Sequence, residues 1–215
     1  LIASALVILG VVVYFAYGKK NGAGEYAFLH LIARITDKKL GTRNLESELM
    51  NIITERDELD FDRFDELVNH ATVLDIEGRP EMDEVLMDIA EAMQAELDLD
   101  MQEVFKLLKT REHEYSTALS PFVAVTHMVL DGKGKFDIVL VRAREGIRFS
   151  DMYTNVRAMF VLAGTRDQRT FHLQCLAAIA QIVNNPEFEE RWLAAKEEQS
   201  LREVVILAPR RRIKK

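Results

Sequence analysis

The feature that most constrains the fold of this chain is the segment VRAMFVLAG at residues 156–164. Branched, aromatic and small apolar side chains occupy both sets of alternating positions in it, so a strand formed here would be apolar on both faces. A strand of that kind needs cover on each side, which a sheet open to water on one face does not give. The segment therefore predicts an inner strand of a sheet enclosed between two layers of helices.

Three other segments have strand character, and amphipathic helices alternate with them. The strand segments are ATVLDI (71–76), FVAVTHMV (122–129) and KFDIVLVRA (135–143). The helical segments are EMDEVLMDIAEAMQAEL (81–97), MQEVFKLLKTRE (101–112), RTFHLQCLAAIAQIV (169–183), PEFEERWLAA (186–195) and LREVVIL (201–207). This order predicts an α/β fold with helices on both faces of the sheet. In the helix that begins near Pro80, we expect Val85, Leu86, Ile89 and Met93 to face inward.

Two local signals add detail to this prediction. The glycines of DGKGK (131–135) are typical of a hairpin turn between the second and third strand segments. Ser200 and Glu203 have the spacing of a capping box, which predicts that the last helix starts at Leu201.

Residues 1–18, LIASALVILGVVVYFAYG, contain no charged side chain, although 29% of the chain is charged, and Lys19 and Lys20 follow at once. About 20 apolar residues are needed to cross a bilayer. We interpret the run as a terminal transmembrane helix of a transporter that continues upstream; a buried core helix is the alternative. Lysines after the run predict a cell-membrane protein whose residues after 18 are cytoplasmic. A single cysteine, Cys175, is in keeping with that reducing compartment.

The rest of the chain divides into three parts. Residues 19–59 contain two amphipathic segments and are predicted to form a juxtamembrane helical coupler, with plain linker packing as the alternative. Residues 60–207 form the α/β domain. Residues 208–215 form a basic tail, RRRIKK at its end, which either contacts anionic lipid or only aids solubility.

Several classes of function are excluded or disfavoured by composition. A net charge of −7 disfavours nucleic-acid binding, which needs a basic surface. One cysteine permits no internal disulfide and no cysteine-based zinc site. The chain lacks the G-x-S-x-G, phosphate-loop and dinucleotide fingerprints of hydrolases, kinases and dehydrogenases. We expect no cofactor and no metal.

Among five histidines, His127 has a distinctive position at the end of a predicted strand. Strand alternation puts Val123, Val125 and His127 on one face of that strand. An imidazole at a strand end beside a turn is held firmly and remains within reach of a partner.

Four ordered segments give residues 60–207 a resemblance to a known family. They are LLKTRE (107–112), STALSPFVAVTH (116–127), EGIRFSD (145–151) and RTFHLQCLAAIAQIV (169–183). Together they resemble the enzyme IIA domain of the fructose/mannitol/nitrogen-regulatory class of the bacterial phosphotransferase system. That resemblance implies a mixed sheet and a phosphoryl-accepting histidine at His127, with Arg111 sixteen positions earlier and His172 on the following helix. The hydroxyls of Ser116, Thr117 and Ser120 would support the phosphate site from the same loop.

The chain departs from the usual pattern of that family around the histidine. Thr126 stands where proline is usual, and Met128 follows the histidine where a small residue is usual. Ala118, Ser120 and Phe122 occupy positions that are normally glycine. These departures favour a domain that has become a regulator.

The amino-terminal part resembles the cytoplasmic exit of an amino-acid permease-like transporter, and a chloride channel or cation/proton antiporter is a further possibility. The preferred interpretation is a cytoplasmic enzyme IIA-like regulatory domain of a membrane transporter, with phosphorylation of His127 controlling transport. Its partners would be the upstream membrane domain and a histidine-phosphorylated carrier protein. Two alternatives remain. One is a phosphocarrier that passes the group to a sugar-specific partner, and the other is a phosphorylation-silent sensor that binds a small anion at Arg111 and His172.

Overall fold

Four strands and six α-helices form the part of the chain that the structure, a computed structural model, describes: residues 61–114, 117–150 and 152–213. The strands are β1 (Thr72–Ile76), β2 (Val123–Leu130), β3 (Phe136–Ile147) and β4 (Val156–Thr165). The helices are α1 (Arg63–His70), α2 (Met82–Leu97), α3 (Met101–Glu114), α4 (Arg169–Val183), α5 (Phe188–Ala194) and α6 (Glu198–Ile206), with a short 3-10 turn at Arg166–Gln168 before α4. Each predicted strand and helix of the α/β domain is present.

The strand order is β1-β3-β4-β2, and the sheet is mixed. The two central strands, β3 and β4, are antiparallel, while β1 pairs with β3 and β2 pairs with β4 in parallel. β4 is buried at almost every position, as its apolar character on both faces predicts. Because β2 and β4 are parallel, their carboxyl ends lie at the same edge of the sheet.

Helices cover both faces of this sheet, which confirms the predicted arrangement. On one face α2 and α3 pack on alternate residues of the strands, among them Val139, Met159 and Val161, all fully buried. On the other face the Phe160 ring lies 5.8 Å from the ring of Trp192 on α5. The four α2 residues expected to face inward are at most 1% exposed.

The predicted hairpin at residues 131–135 is wrong. The chain does reverse direction there, with Gly132 and Gly134 at positive φ, but β4 lies between β2 and β3. The turn bonds to β4 and the residues after it: Gly134 N–H donates to the Asp167 carboxylate, and Thr165 N–H donates to the Lys135 carbonyl at 3.0 Å. The glycines allow the turn, while pairing with β4 decides the strand order.

The capping box predicted at Ser200 is also wrong. α6 begins at Glu198, and Leu201 N–H donates to the Glu197 carbonyl at 3.2 Å. The first helical turn therefore lies before Leu201, and Ser200 is inside the helix.

Two arginines of the basic carboxyl-terminal segment are folded against α1. Arg210 donates to both carboxylate oxygens of Asp62 at 2.7 and 2.8 Å, and its side chain is 1% exposed. Arg212 Nε donates to Asp65 at 2.9 Å. Arg210 and Arg212 thus pair with carboxylates at the start of α1, a role that neither alternative for the basic tail, lipid contact or solubility, included.

The predicted membrane span and helical coupler, residues 1–18 and 19–59, lie outside the described residues. Within the described residues, no helix combines the length and apolar character needed to cross a membrane.

Candidate active site

Arg111 and His127 meet at the edge of the sheet formed by β2. α3 packs along this strand through Val104 and Leu108, which share a buried cluster with Ala124 of β2. Arg111 stands in the last turn of α3, and its Nη2 lies 3.1 Å from Nε2 of His127. The contact joins two residues sixteen positions apart, as the resemblance implies.

His172 comes from the opposite side, in the first turn of α4. β4 runs parallel to β2 and pairs His127 with Leu162, so the helix that follows β4 starts beside the carboxyl end of β2. The rings of His127 and His172 meet edge to face, with centroids 5.1 Å apart and planes at 73°. The ring of Phe136 packs edge to face on the ring of His172, with centroids 5.8 Å apart, and supports it. The structure thus brings all three predicted site residues together.

The environment keeps both imidazoles uncharged at neutral pH. Burial lowers the pKa of His127, and the positive charge of Arg111 and the neighbouring His172 lower it further. Burial also lowers the pKa of His172, which is 8% exposed. The guanidinium of Arg111 is therefore the charged group of this trio.

The Arg111 contact also fixes the tautomer of His127. A guanidinium can only donate hydrogen bonds, so Nε2 of His127 must accept, and the proton of the neutral ring then sits on Nδ1. An unprotonated ring nitrogen is a nucleophile once this hydrogen bond is released, and the guanidinium beside it can then stabilise an incoming anion.

The hydroxyls that the resemblance places near the phosphate site bond within their own loop. Ser120 Oγ accepts from the backbone N–H groups of Phe122 and Val123 at 3.2 and 3.0 Å. Thr117 Oγ1 donates to Glu112 Oε2 at 2.6 Å and lies 2.9 Å from Thr126 Oγ1. Ser116 lies outside the described residues.

Sequence reasoning did not identify Glu112 or Phe136 as neighbours of the site. A signal for the first was present, because Thr126 is a polar residue inside an apolar strand, and a buried hydroxyl needs a partner. Thr126 is fully buried and finds Thr117, which in turn binds Glu112. Nothing in the sequence indicates that Phe136, at the start of β3, packs on His172.

Exposed apolar side chains adjoin the site residues along the chain. Val129 follows His127 on the same face of β2 and is 57% exposed, and Leu173 next to His172 is 58% exposed. Leu119, in the loop before β2, is 59% exposed.

The described residues contain no group of three or more histidine, cysteine, aspartate or glutamate side chains that could hold a metal ion.

Comparisons with known proteins agree with this architecture. Residues 69–207 match the profile of the family described as "Phosphoenolpyruvate-dependent sugar phosphotransferase system, EIIA 2". No curated protein matches the chain.

Solved structures with the same fold include the nitrogen regulatory protein IIA-Ntr of Neisseria meningitidis. It is 22% identical with a TM-score of 0.60, and the match covers 67% of this chain and 99% of that one. IIA mannitol of Escherichia coli is 17% identical with a TM-score of 0.52, covering 62% of this chain and 95% of that one. The mannitol-specific cryptic enzyme IIA CmtB of Escherichia coli is 17% identical with a TM-score of 0.50, covering 68% and 100%.

Proposed function

Because this chain belongs to the EIIA 2 family of the phosphoenolpyruvate-dependent sugar phosphotransferase system, we propose that its domain accepts a phosphoryl group on Nε2 of His127. The observation that carries this proposal is the 3.1 Å contact between Arg111 Nη2 and His127 Nε2, beside the ring of His172. The contact provides a neutral nucleophile and a fixed positive charge at one place.

In the proposed step, the lone pair of His127 Nε2 attacks the phosphorus of a phosphohistidine on a carrier protein. A P–N bond forms at His127 while the P–N bond of the carrier breaks, and its electron pair returns to the carrier's ring, which carries a proton on its other nitrogen and so leaves as neutral imidazole. The proton on His127 Nδ1 stays in place throughout. Charge in such a transfer is spread over the three outer phosphoryl oxygens, so catalysis consists mainly of positioning and electrostatic stabilisation.

Arg111 supplies the electrostatic part of this step. Its guanidinium presents a planar set of donors that fits phosphoryl oxygens better than a lysine ammonium does. Since the phosphorus must approach Nε2, the guanidinium moves from the nitrogen to the oxygens bonded to that phosphorus. His172, a neutral ring in edge contact with His127, restricts the orientation of the nucleophile.

The experiment is to incubate the full 215-residue chain with phosphoenolpyruvate, the general phosphotransferase enzyme and its histidine-phosphorylated carrier. We expect acid-labile, base-stable label on the wild type and none on His127→Ala. His70→Ala is the matched control, because His70 is an exposed histidine on α1 whose ring bonds to the Glu66 carbonyl. An unlabelled wild type, or a His127→Ala chain that still takes label, would refute phosphoryl acceptance.

We further propose that phosphorylation serves regulation of a membrane transporter, the domain lying on the cytoplasmic side of the cell membrane. Support comes from the uncharged residues 1–18 and the lysines that follow them. The phosphoryl group adds about −2 charge beside Arg111 and so changes which surface docks there. Uptake by the full-length protein should differ with and without residues 60–215, and identical uptake kinetics would remove this part of the proposal.

A phosphocarrier role would require the domain to pass its phosphoryl group on to another protein. Labelled protein would then lose its phosphoryl group to a sugar-specific partner, with the exposed Leu119, Val129 and Leu173 as the contact surface. Retention of the label in the presence of such partners favours the regulatory role.

A further inference from the structure

We propose that a hydrogen-bonded chain of three side chains, Glu112, Thr117 and Thr126, positions Arg111 against His127. This inference deepens the proposed function and rests on it, because the position of the guanidinium matters only if His127 receives an anion. The three side chains are positioning residues, which act through Arg111.

The chain of bonds has a defined direction. Thr117 Oγ1 donates to Glu112 Oε2 at 2.6 Å, a short bond of the kind that a carboxylate acceptor forms. Since a hydroxyl has only one proton, Thr117 Oγ1 then accepts from Thr126 Oγ1 at 2.9 Å. Thr126 is fully buried and Thr117 is 8% exposed, so the bond between the two hydroxyls is shielded from water, and the bond to Glu112 is partly shielded.

The two ends of this hydrogen-bonded chain are next in sequence to Arg111 and His127. Glu112 follows Arg111 on α3, and Thr126 precedes His127 on β2. Strand alternation turns Thr126 to the face of the sheet where α3 packs and turns His127 to the other. The bonds therefore tie the end of α3 to β2 at the level of His127.

Backbone contacts hold the middle member in place. Val125 N–H donates to the Thr117 carbonyl at 2.9 Å, and Ala118 forms an antiparallel bridge with Ala124. Thr117 is thus fixed on β2 by its backbone and joined to α3 by its hydroxyl. The Thr117–Glu112 bond is the side-chain link from this anchored residue to the helix that carries Arg111.

Such a link matters because an arginine side chain has many conformations, and a misplacement of about 1 Å can slow a reaction about a hundredfold. Thr117→Val isolates the effect, because it removes the hydroxyl with little change of shape and leaves the charge of Glu112 unchanged. Thr117→Ser keeps the hydroxyl and serves as the conservative variant.

The first readout is the pKa of His127 in unphosphorylated protein, measured by NMR titration of the ring. Arg111 lowers that pKa in the wild type. We expect the pKa to rise in Thr117→Val and to stay close to the wild-type value in Thr117→Ser. In an Arg111→Gln background, Thr117→Val should no longer change it. An unchanged pKa in folded Thr117→Val, or an equal rise in the Arg111→Gln background, would overturn the positioning role.

Thr165→Val is the matched control, because Thr165 is another buried threonine whose hydroxyl donates to a carboxylate, that of Asp167. It should lower stability without moving the pKa of His127. If Thr117→Val does not fold, Thr126→Val decides instead: it removes one bond of the chain and should raise the pKa by a smaller amount.

The second readout is the rate of labelling by the phosphorylated carrier. Thr117→Val should label about tenfold more slowly or worse, with Thr117→Ser close to wild type. A wild type that takes no label refutes the proposed function, yet the titration still tests the geometric claim. The two failures are therefore distinguishable.

Discussion

At the scale of single residues, the site is defined by which of its side chains carry charge. His127 and His172 both have lowered pKa values, so neither ring competes with Arg111 for an incoming anion. A dianionic phosphoryl group then meets one fixed positive charge and one unprotonated nitrogen. Protonation of His127 would remove the lone pair, so acceptance is expected to fail as the pH drops below the pKa of this ring.

Replacing Arg111 with glutamine tests this description directly. Burial remains in Arg111→Gln, but one cause of the lowered pKa is lost, so the pKa of His127 should rise. NMR titration of the ring measures it. Lys109→Gln, a change of another cation on α3 that pairs with Asp83, is the control and should have little effect. If the pKa of His127 rose equally in both variants, its lowering would come from the overall positive charge of the protein and not from the contact with Arg111.

Asp137 is a second residue with an unusual pKa, away from the site. Its Oδ2 is buried and has no hydrogen-bond partner among the described residues. Burial raises its pKa to about 6, against the opposing hydrogen bond from Ile138 N–H and with a further contribution from Glu96. The folded protein therefore holds a proton that the unfolded chain has lost between about pH 4 and pH 6.

We expect Asp137→Asn to stabilise the fold above pH 6, by about 1–3 kcal/mol, since one pKa unit corresponds to about 1.4 kcal/mol. Wild-type stability falls as the pH rises through 6, and the variant lacks this loss. Urea unfolding at pH 4.5 and pH 7.5 measures the difference. Asp131→Asn, at an exposed aspartate, should change little. Equal effects of Asp137→Asn at both pH values would contradict the raised pKa.

At the scale of helices and strands, sequence pattern predicted what depends on local periodicity. The four strands follow from branched and aromatic residues, and α2 and α4 follow from apolar spacing along each segment. The order of the strands was not predictable from the turn at residues 131–135, because its partners, Thr165 and Asp167, lie about thirty residues later. The local signal correctly predicted a turn, but the long-range pairing of β4 determined the strand order.

Polar residues also depend on long-range contacts that local sequence patterns do not show. Arg142 is fully buried within β3 and bonds to Asp75 and to the backbone carbonyls of Trp192 and Ala195. These partners lie 50 or more positions away, so no local pattern reveals them. In the site, family resemblance identified Arg111, His127 and His172, whereas the bonds that tie α3 to β2 required the structure.

Gly146 shows how one residue shapes a strand. It lies between Arg142 and Ile147, where the pairing of β3 with β4 is irregular, and has a φ of 87°. A Cβ there would lie 2.3 Å from Oδ1 of Asn155. We expect Gly146→Ala to cost more than the roughly 1–2 kcal/mol that a positive φ imposes on alanine.

Gly78→Ala separates backbone strain from the clash, because Gly78 has a φ of 78° and open space around it. Thermal unfolding should rank wild type first, then Gly78→Ala, then Gly146→Ala. Adding Asn155→Ala should recover part of the loss in Gly146→Ala. Equal melting temperatures for the two glycine variants would show that Asn155 does not resist a side chain at position 146.

At the scale of the whole domain, the two ends of the described chain are joined by buried ion pairs. Asp62 caps α1, and although burial opposes its charge, hydrogen bonds from Arg210 and from the backbone N–H groups of Asp65 and Ile213 hold its pKa well below the usual value. Arg210 also lies 2.8 Å from Asp65, and its guanidinium stacks over the ring of Phe64. The residues that follow α6 are therefore part of the domain's packing, and the segment at residue 61 is held beside them.

Removing one partner from such a network leaves buried charges without compensation. Arg210→Met keeps the apolar stem of the side chain but leaves the buried Asp62 without its arginine partner, while Asp65 keeps its bond to Arg212. We therefore expect a loss of about 3–5 kcal/mol in the free energy of unfolding. Urea unfolding at neutral pH measures this loss.

Arg211→Met is the matched control, since Arg211 is exposed and forms no carboxylate pair among the described residues. The deficit of Arg210→Met should shrink at pH 3, where Asp62 can take up a proton once the hydrogen bonds from Arg210 that lower its pKa are gone. A deficit that is the same at both pH values would mean that Arg210 acts through packing alone, and similar losses in the two arginine variants would mean that the chain ends are not joined by these pairs.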